Sequence, residues 1–267
     1  MRNDIVRPIV DLRDRALQKN RIAFGNRLVA IDDGRDTADP EARELFQRWH
    51  ERFLELEEAA DKDIAKLVKD MPIVKRMTKV KGIGPMLAAK LVSMIDIERA
   101  DTVSALWKYS GFGLGEYWID EQGKIIAPRD GWKWKVNPQG QKEKIQVTAN
   151  PKPEWRLVSH RDVNIPGWCA VSNATLKKTC YLIASSFLKS NSPYRKVYDD
   201  ARTYYSANRP NWTEGHRHNA ALRKMEKMFL SHLWLTWRQL EGLPITYPYA
   251  HERLGHQHYY SPGDFGW

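Results

Sequence analysis

The chain has 267 residues, of which 42% are hydrophobic. This apolar content is enough for a buried core in one large domain or two modest ones, and it excludes a disordered chain. Its 43 Lys and Arg residues against 33 Asp and Glu residues leave a net charge of +10, which favours a polyanionic partner, with nucleic acid ranked ahead of a membrane surface.

Membrane, secretory and disulfide-rich classes are disfavoured as well. No apolar run reaches the roughly 18–20 residues that a bilayer crossing needs, and the start, MRNDIVRPIVDLRDR, has no apolar signal core. Cys169 and Cys180 are too few for a disulfide framework, and Cys180 is expected in a helical core. We therefore expect a cytoplasmic protein without a membrane partner.

Residues 1–71 predict a helical hairpin. Apolar positions recur at helical spacing over residues 4–31. A second helix is predicted from Asp39, as the N-cap, with Pro40 at its first position, to the step Met71-Pro72. Two long amphipathic helices joined by the polar turn DDGRD pack on each other or on a second subunit, so this region is a candidate for a coiled coil and for dimerisation.

The stretch TKVKGIGPMLAAKLV, residues 78–92, predicts a tight turn that opens a helix. Gly82 and Gly84 allow positive φ, and Pro85 suits the first helical position. The amides of Gly84 and of the first helical turn then point outward at the positive end of the helix dipole, which favours an anion. The alternative is that the glycines only permit a tight connection between two packed helices.

The charge of this region agrees with the anion interpretation. Between residues 71 and 95 every charged side chain is basic, and a further short helix is predicted over residues 103–109. Residues 72–113 are therefore taken as one DNA-binding region. Its basic residues before position 95 are Lys75, Arg76, Lys79, Lys81 and Lys90.

Residues 114–171 predict a basic insertion that contains β-structure. EYWIDEQGKIIAP alternates like a β-hairpin with Gln122-Gly123 as its turn, and the run Trp132-Lys133-Trp134-Lys135 predicts another short strand. Nine basic residues oppose four acidic ones over residues 121–161. Alternating indoles and ammonium groups suit bases and phosphates. An equally weighted alternative is that the Trp side chains cover a small core.

Residues 172–243 are predicted to be helical again. The N-termini are expected at Ser172, at Ser192-Pro193 and at Thr213, with the last helix running to about residue 241 and His232 in the core. The tail, residues 244–267, is rich in Pro, Tyr and His and is expected to be an extended arm that packs on the body or on a neighbouring subunit. The apolar side chains expected to face inward from the last helix are Leu222, Met225, Phe229, Leu233 and Leu240.

Metal chemistry has little support in the sequence. His251, His256 and His258 lack the paired Cys or His residues of zinc sites, and His216 and His218 would diverge on one helix. No compact set of carboxylates for Mg²⁺ is recognisable. We therefore expect no metal and no cofactor.

With the turn, the helix and the charges in place, residues 78–92 resemble a helix-hairpin-helix DNA-binding motif, whose hairpin amides hold a phosphate. The longer stretch MTKVKGIGPMLAAKLVSMIDIERADTVSALWKYSGFG is similar to a conserved block in the C-terminal transposase domain of the DEDD-type (IS-one-ten type) insertion-sequence family. SNATLKKTCYLIASSFLKSNSPYRKVYDDART and HRHNAALRKMEKMFLSHLWLTW resemble the closing helical segments of that family. The helical hairpin lies where the family has its coiled coil, so the resemblance covers about residues 40–113 and 172–241.

Two departures from the family shape the functional expectation. The family's RuvC-like domain, which carries its acidic residues, precedes the coiled coil, and the segment before residue 40 is too short to hold it. The family also has a nucleophilic serine before its closing helices, where this chain offers Ser159 in SHRD without the usual following glycine. The resemblance therefore implies a phage or mobile-element DNA-binding protein that lacks the acidic half of an active site.

The sequence thus predicts a mainly α, non-catalytic DNA-binding protein with a small β-containing insertion, acting as a homo-oligomer with a dimer favoured. Two alternatives remain open. One is a serine-dependent transposase or recombinase subunit whose acidic domain comes from a partner, and the other is an RNA-binding or assembly protein that uses the insertion and the tail. The predicted nucleic-acid contacts are Lys75, Arg76, Lys79, Lys81, Gly82, Ile83, Gly84, Lys90, Trp132, Lys133, Trp134 and Lys135.

Overall fold

The computed structural model describes residues 3–161, 163–170, 172–246 and 260–267. The protein is mainly α-helical with a small antiparallel β insertion, as predicted. It divides into two compact units, residues 1–96 and 97–267. This boundary falls inside the region 72–113 that the sequence treats as one, so the Gly-Ile-Gly hairpin belongs to the first unit and the short helix over residues 103–109 to the second.

The first unit is entirely helical over its described residues. Asp39 caps the longest helix as predicted, because its Oδ1 accepts a hydrogen bond of 2.7 Å from the amide of Ala42. The elements are α1 (Asn3–Leu12), a π-helical turn (Arg13–Gln18), α2 (Lys19–Asp32), α3 (Pro40–Val68), α4 (Pro72–Met77) and α5 (Pro85–Met94).

The π-helical turn interrupts the helix predicted over residues 4–31. Its i→i+5 hydrogen bonding widens the helix locally and changes the direction of the side chains relative to the flanking α-helical turns. Arg13, its first residue, is buried. Apolar periodicity gave no sign of this turn, because the residue that it directs inward is charged.

A buried charge cluster holds the first unit together. The Arg13 guanidinium lies 2.6 Å from Glu57 and 2.7 Å from Asp61, and it also contacts Asp14 at 3.0 Å. Burial opposes the charge of Arg13, but its hydrogen bonds to Asp61 and Asp14 leave the pKa above the ordinary value. Two further ion pairs complete the cluster, Arg21–Glu57 at 2.6 Å and Lys90–Asp14 at 2.7 Å.

We expect Glu57→Ala to destabilise the first unit by about 3–5 kcal/mol, since it leaves two guanidinium groups in the cluster without their shared carboxylate. The loss should appear as weakened hydrogen-exchange protection of α3 in the full chain. Glu58→Ala is the matched control, because Glu58 is the exposed neighbour on the same helix. Equal effects of the two substitutions would show that the cluster does not stabilise the fold.

The second unit combines helices with two small sheets. β1, β2 and β5 form an antiparallel sheet in the order β2-β1-β5, and β3 pairs with β4 in a separate two-stranded ribbon. The hairpin predicted around Gln122-Gly123 is the β1–β2 connection, and the Trp-Lys strand is part of β3. The elements are α6 (Val103–Tyr109), β1 (Leu114–Ile119), β2 (Ile125–Pro128), β3 (Asp130–Val136), β4 (Lys142–Thr148), β5 (Arg156–Arg161), α7 (Ala174–Ser190), α8 (Tyr194–Asn208), α9 (Glu214–Leu240) and a 3₁₀ helix (Pro262–Phe265).

The C-terminal helices follow the sequence closely, with two corrections. Thr213 caps α9, as predicted, by accepting a hydrogen bond from the amide of His216. The cap of α7 is Asn173 rather than Ser172, because the Asn173 side chain reaches the amide of Leu176. Leu240 is exposed, since it is the last residue of α9 and lies beyond the packed part of the helix. The other four predicted inward residues of α9 are buried.

His232 lies in the core of this unit, as predicted. Its Nε2 lies 3.0 Å from the carbonyl oxygen of Tyr260, which only accepts hydrogen bonds, so Nε2 carries the proton and Nδ1 accepts from the Tyr194 hydroxyl at 2.6 Å. Burial lowers the pKa of His232 to about 4. The Trp267 indole donates to the same Tyr194 hydroxyl at 2.7 Å, so the end of the tail packs on the body as a 3₁₀ helix rather than as an extended arm.

The middle of the tail, with His251, His256 and His258, lies outside the described residues. Within the described part of the chain, His216 and His218 diverge as expected, since His216 stacks on Trp212 and His218 bonds the Tyr198 hydroxyl. Cys180 is buried and has a free thiol. No described helix is both long enough and apolar enough to span a bilayer.

Glu226 lies on the buried face of α9. Its titration changes stability with pH in the opposite direction to that of His232. Burial raises the pKa of Glu226 to about 7, although the charges of Arg223 and Lys177 act in the other direction. The folded state therefore keeps a proton that the unfolded state loses, and stability falls as pH rises from 4.5 to about 7. The titration of His232 has the opposite effect. Between pH 4 and 6.5 only the unfolded state binds its proton, so this contribution to stability increases as pH rises.

Removing the titration of Glu226 should separate its effect on the pH dependence of stability from that of His232. We expect Glu226→Gln to gain about 3 kcal/mol of stability relative to the parent protein as pH rises from 4.5 to 7, since the pKa difference is removed. Native-state hydrogen exchange of α9 across that pH range measures the gain. The exposed Glu154→Gln is the matched control, and a pH-independent difference for Glu226→Gln would contradict the assignment.

Candidate nucleic-acid interface

The predicted hairpin is present between α4 and α5. Its turn is closed by backbone hydrogen bonds from Val80 to Met77 and from Ile83 to Val80, both 3.0 Å long. Gly82 has φ of 102°, which a residue with a side chain rarely adopts. Gly84 has φ of −91°, so the prediction of positive φ at both glycines is wrong for Gly84. The two glycines differ in function: Gly82 allows the turn, and Gly84 begins the helix.

The N-terminus of α5 is open and uncapped. Gly84 is the N-cap without a side-chain cap, and Pro85 occupies the first helical position as predicted. Because the first intrahelical bond runs from Ala88 to Gly84, the amides of Met86 and Leu87 have no helical acceptor. A Cβ built on Gly84 would meet no atom within 4 Å. A ligand can therefore approach this backbone closely.

The Ile83 side chain fixes the hairpin to the core and is not exposed to a ligand. Its side chain is buried, together with those of Met77 and Val80, and its amide is used within the turn. The prediction that Ile83 contacts nucleic acid is therefore wrong. Its apolar character fixes the turn to the core, and this leaves Gly82 and Gly84 on the accessible side.

The basic residues of this region fall into two groups. Lys75, Arg76, Lys79 and Lys81 are exposed. Lys75 lies 3.2 Å from Asp70, whereas no ion pair involving the other three occurs among the described residues. We call Arg76, Lys79 and Lys81 the hairpin cations.

Lys90 belongs to the second group, and its predicted contact with nucleic acid is wrong. Its ammonium group is buried and lies 2.7 Å from Asp14. Sequence reasoning missed this because Asp14 is far away along the chain. Lys90 stabilises the fold instead.

The β3–β4 ribbon has one open face and one face that Trp168 covers in part. Antiparallel pairing places Trp134 opposite Lys144 and Val136 opposite Lys142, so these side chains share the open face with Trp132. The indoles of Trp132 and Trp134 are 39% and 65% exposed. The alternative that the Trp side chains cover a small core therefore does not hold for Trp134, whose surface is mostly exposed.

Lys133 and Lys135 lie on the other face of the ribbon, because side chains alternate along a strand. Lys133 is placed over the Trp168 ring at 4.2 Å, and a Cβ on Gly131 would come within 2.7 Å of the same indole. The basic residues beside the exposed indoles are thus Lys142 and Lys144, with the Lys144 ammonium 5.4 Å from the Trp132 ring. Pairing the two strands by their alternation would have identified these two lysines.

Arg129 joins the two sheets and neutralises the acidic residues beside them. Its guanidinium lies 2.6 Å from Glu116 on β1 and 2.8 Å from Asp130 on β3. Asp130 also accepts a hydrogen bond of 2.9 Å from Thr148. The hydrogen bonds from Arg129 and Thr148 lower the pKa of Asp130. The single carboxylate at the base of the open face is therefore paired.

Ser159 lies on β5 with an exposed side chain, opposite Glu116 of β1. Glu116 is already paired with Arg129, and the Ser159 hydroxyl has no hydrogen bond to a described side chain. His160, the next residue, alternates to the other face and packs edge-on against Tyr117 at 6.4 Å. The described residues contain no cluster of three or more His, Cys, Asp or Glu residues that could hold a metal ion. Among the described residues, neither an activating base nor a metal-binding cluster thus lies beside Ser159.

Comparison with family models and with curated sequences gives no relative from which a function could be transferred. No protein-family model matches the chain, and no curated protein matches its sequence. The likeness to a transposase domain therefore stays a prediction, and function is argued from the geometry of the site.

Proposed function

We propose that the protein binds the phosphate backbone of duplex DNA through the hairpin between α4 and α5. The observation that carries this proposal is the open N-terminus of α5, where an uncapped helix begins at a glycine with free space in front of its backbone. The proposed ligand atoms are phosphate oxygens, which accept hydrogen bonds from the amides of Gly84, Met86 and Leu87.

Three physical effects support an anion at this position. The helix dipole places partial positive charge at the N-terminus of α5. The unpaired amides are donors that lose nothing within the helix when they bind a ligand. The hairpin cations add full charges that no described carboxylate neutralises, so they remain available to phosphates. Lys75 contributes less to phosphate binding, because Asp70 partly neutralises its charge.

Such contacts determine the kind of recognition. Amides and lysines that bind phosphates carry no information about base sequence, so the protein reads the shape of the backbone. Affinity then depends on salt, because binding releases counterions. The resemblance to a transposase domain favours DNA of a mobile element or phage, and it favours a protein of the cytoplasm and nucleoid that is non-catalytic alone.

We expect Gly84→Val to raise the Kd for duplex DNA about tenfold, because the branched side chain blocks amides whose charge-assisted bonds contribute roughly 1.5 kcal/mol or more. Fluorescence anisotropy with a labelled duplex measures the change. Gly215→Val is the matched control, since Gly215 is exposed at the start of α9 and its Cβ also faces open space. Equal affinity of the two variants would contradict the proposed site.

A salt series on the same duplex gives a second readout. Lys79→Gln and Lys81→Gln should each reduce the slope of log affinity against log salt concentration by about 1. Lys90→Gln should leave the slope unchanged if it folds, because Lys90 is paired inside the charge cluster.

We also propose that a second copy of the chain covers one side of α3. The helix has two apolar stripes. Phe46 and Phe53 of the first stripe pack on Phe24 of α2 with ring centroids 6.1 Å and 5.9 Å apart. Leu45, Trp49, Leu56 and Leu67 form the second stripe, which recurs with heptad-like spacing and is exposed. An exposed stripe of this kind on a long helix is typical of a helical dimer interface.

We expect Leu56→Lys to convert a dimer into a monomer, since it places a charge in the middle of the second stripe. Light scattering coupled to gel filtration measures the mass. Leu54→Lys is the matched control, because Leu54 is exposed on the same helix about 160° around its axis. A parent protein that is already monomeric at the concentrations used would contradict the dimer.

A further inference from the structure

The open face of the β3–β4 ribbon has a composition that the hairpin does not explain. Two indoles, one aliphatic side chain, two ammonium groups and one amide occupy it, together with a carboxylate and a hydroxyl at its base that bond each other. Trp134 makes no ring contact and no cation contact with any described residue, although its indole is 65% exposed. The residues of the open face are Asp130, Trp132, Trp134, Val136, Lys142, Lys144, Gln146 and Thr148.

The spacing of the indoles suits an aromatic base. Residues two apart on one strand are separated by about 6.6 Å, which is nearly twice the ~3.4 Å rise of a stacked nucleotide. One base therefore fits between Trp132 and Trp134, and a second stacks on the outer face of either ring. Every base has a π face, so this mode of binding tolerates any sequence.

The charge of the open face identifies the kind of ligand. Lys142 and Lys144 lie beside the indoles, and Asp130, the carboxylate nearest to them on this face, is already paired with Arg129. A second copy of the ribbon would bring lysines against lysines, which disfavours self-association through this face. A polyanion with accessible aromatic rings can pair with the lysines and stack on the indoles. In a duplex, base pairing and stacking make those rings inaccessible, so the ligand is single-stranded.

We infer that the open face of the β3–β4 ribbon binds the unpaired bases of single-stranded DNA by stacking on Trp132 and Trp134. This inference deepens the proposed function and rests on it for the choice of DNA over RNA. The ligand of the whole protein is then DNA that has both duplex and single-stranded parts. Lys142 and Lys144 bind the phosphates of the strand whose bases stack.

The test measures anisotropy of a labelled thymidine oligonucleotide with the full chain. Trp134→Ala should raise the Kd about fivefold to a hundredfold, the range expected for loss of one stacked base. Tyr181→Ala is the control for an exposed aromatic side chain, since Tyr181 is 51% exposed on α7. Lys142→Ala should weaken binding more than Lys135→Ala, because the two lysines lie on opposite faces of the same ribbon. Circular dichroism checks the fold of each variant.

The outcomes separate this inference from the hairpin proposal. An unchanged Kd for Trp134→Ala, equal effects of Lys142→Ala and Lys135→Ala, or tighter binding of a uridine RNA oligonucleotide than of the DNA would each overturn it. So would a fall in self-association, rather than in DNA binding, on Trp134→Ala. Duplex binding that responds to Gly84→Val while single-strand binding ignores Trp134→Ala refutes the ribbon alone, and the reverse pattern refutes the hairpin alone.

Discussion

The buried charge cluster determines the geometry of the candidate DNA site. It ties the π-helical turn to α3 through Arg13 and Glu57, and to α5 through Asp14 and Lys90. Burying these charges is unfavourable unless each has a partner, and here every carboxylate contacts a basic group. The cluster thus fixes the helix that follows the hairpin through Lys90, while the buried apolar side chain of Ile83 fixes the turn itself.

The sequence predicted the elements whose signals are local. Asp39 and Thr213 each cap the helix that was expected, because a cap is a contact between residues two or three apart. The Gly-Ile-Gly hairpin was recognisable for the same reason. The burial of Lys90 was missed because it depends on a distant partner. The π-helical turn was also missed, and so was the face of the ribbon on which Lys133 and Lys135 lie, although the alternation of side chains along a strand encodes that face. The pairing of Lys90 with Asp14 spans most of the first unit, and no periodicity within α5 encodes it.

The two candidate surfaces use different physical chemistry for parts of one polymer. The hairpin offers backbone donors and mobile charges, which suit phosphates at any sequence. The ribbon offers flat apolar rings, which suit bases only where pairing has been lost. Neither surface contains a side-chain constellation for chemistry, and Ser159 lies at the exposed edge of the β2-β1-β5 sheet opposite a carboxylate that is already in use.

The two-stranded ribbon also exposes strand edges, which creates a risk of aggregation. An unpaired edge is a template on which another chain can add a strand and begin an aggregate. Cys169 covers β3 at Trp132, where its amide donates to the Trp132 carbonyl at 2.7 Å, but no such cover is described along β4. The lysines of β4 then act as gatekeepers, since charges on an edge repel an incoming strand. Selection for solubility would thus preserve Lys142 and Lys144 independently of any ligand.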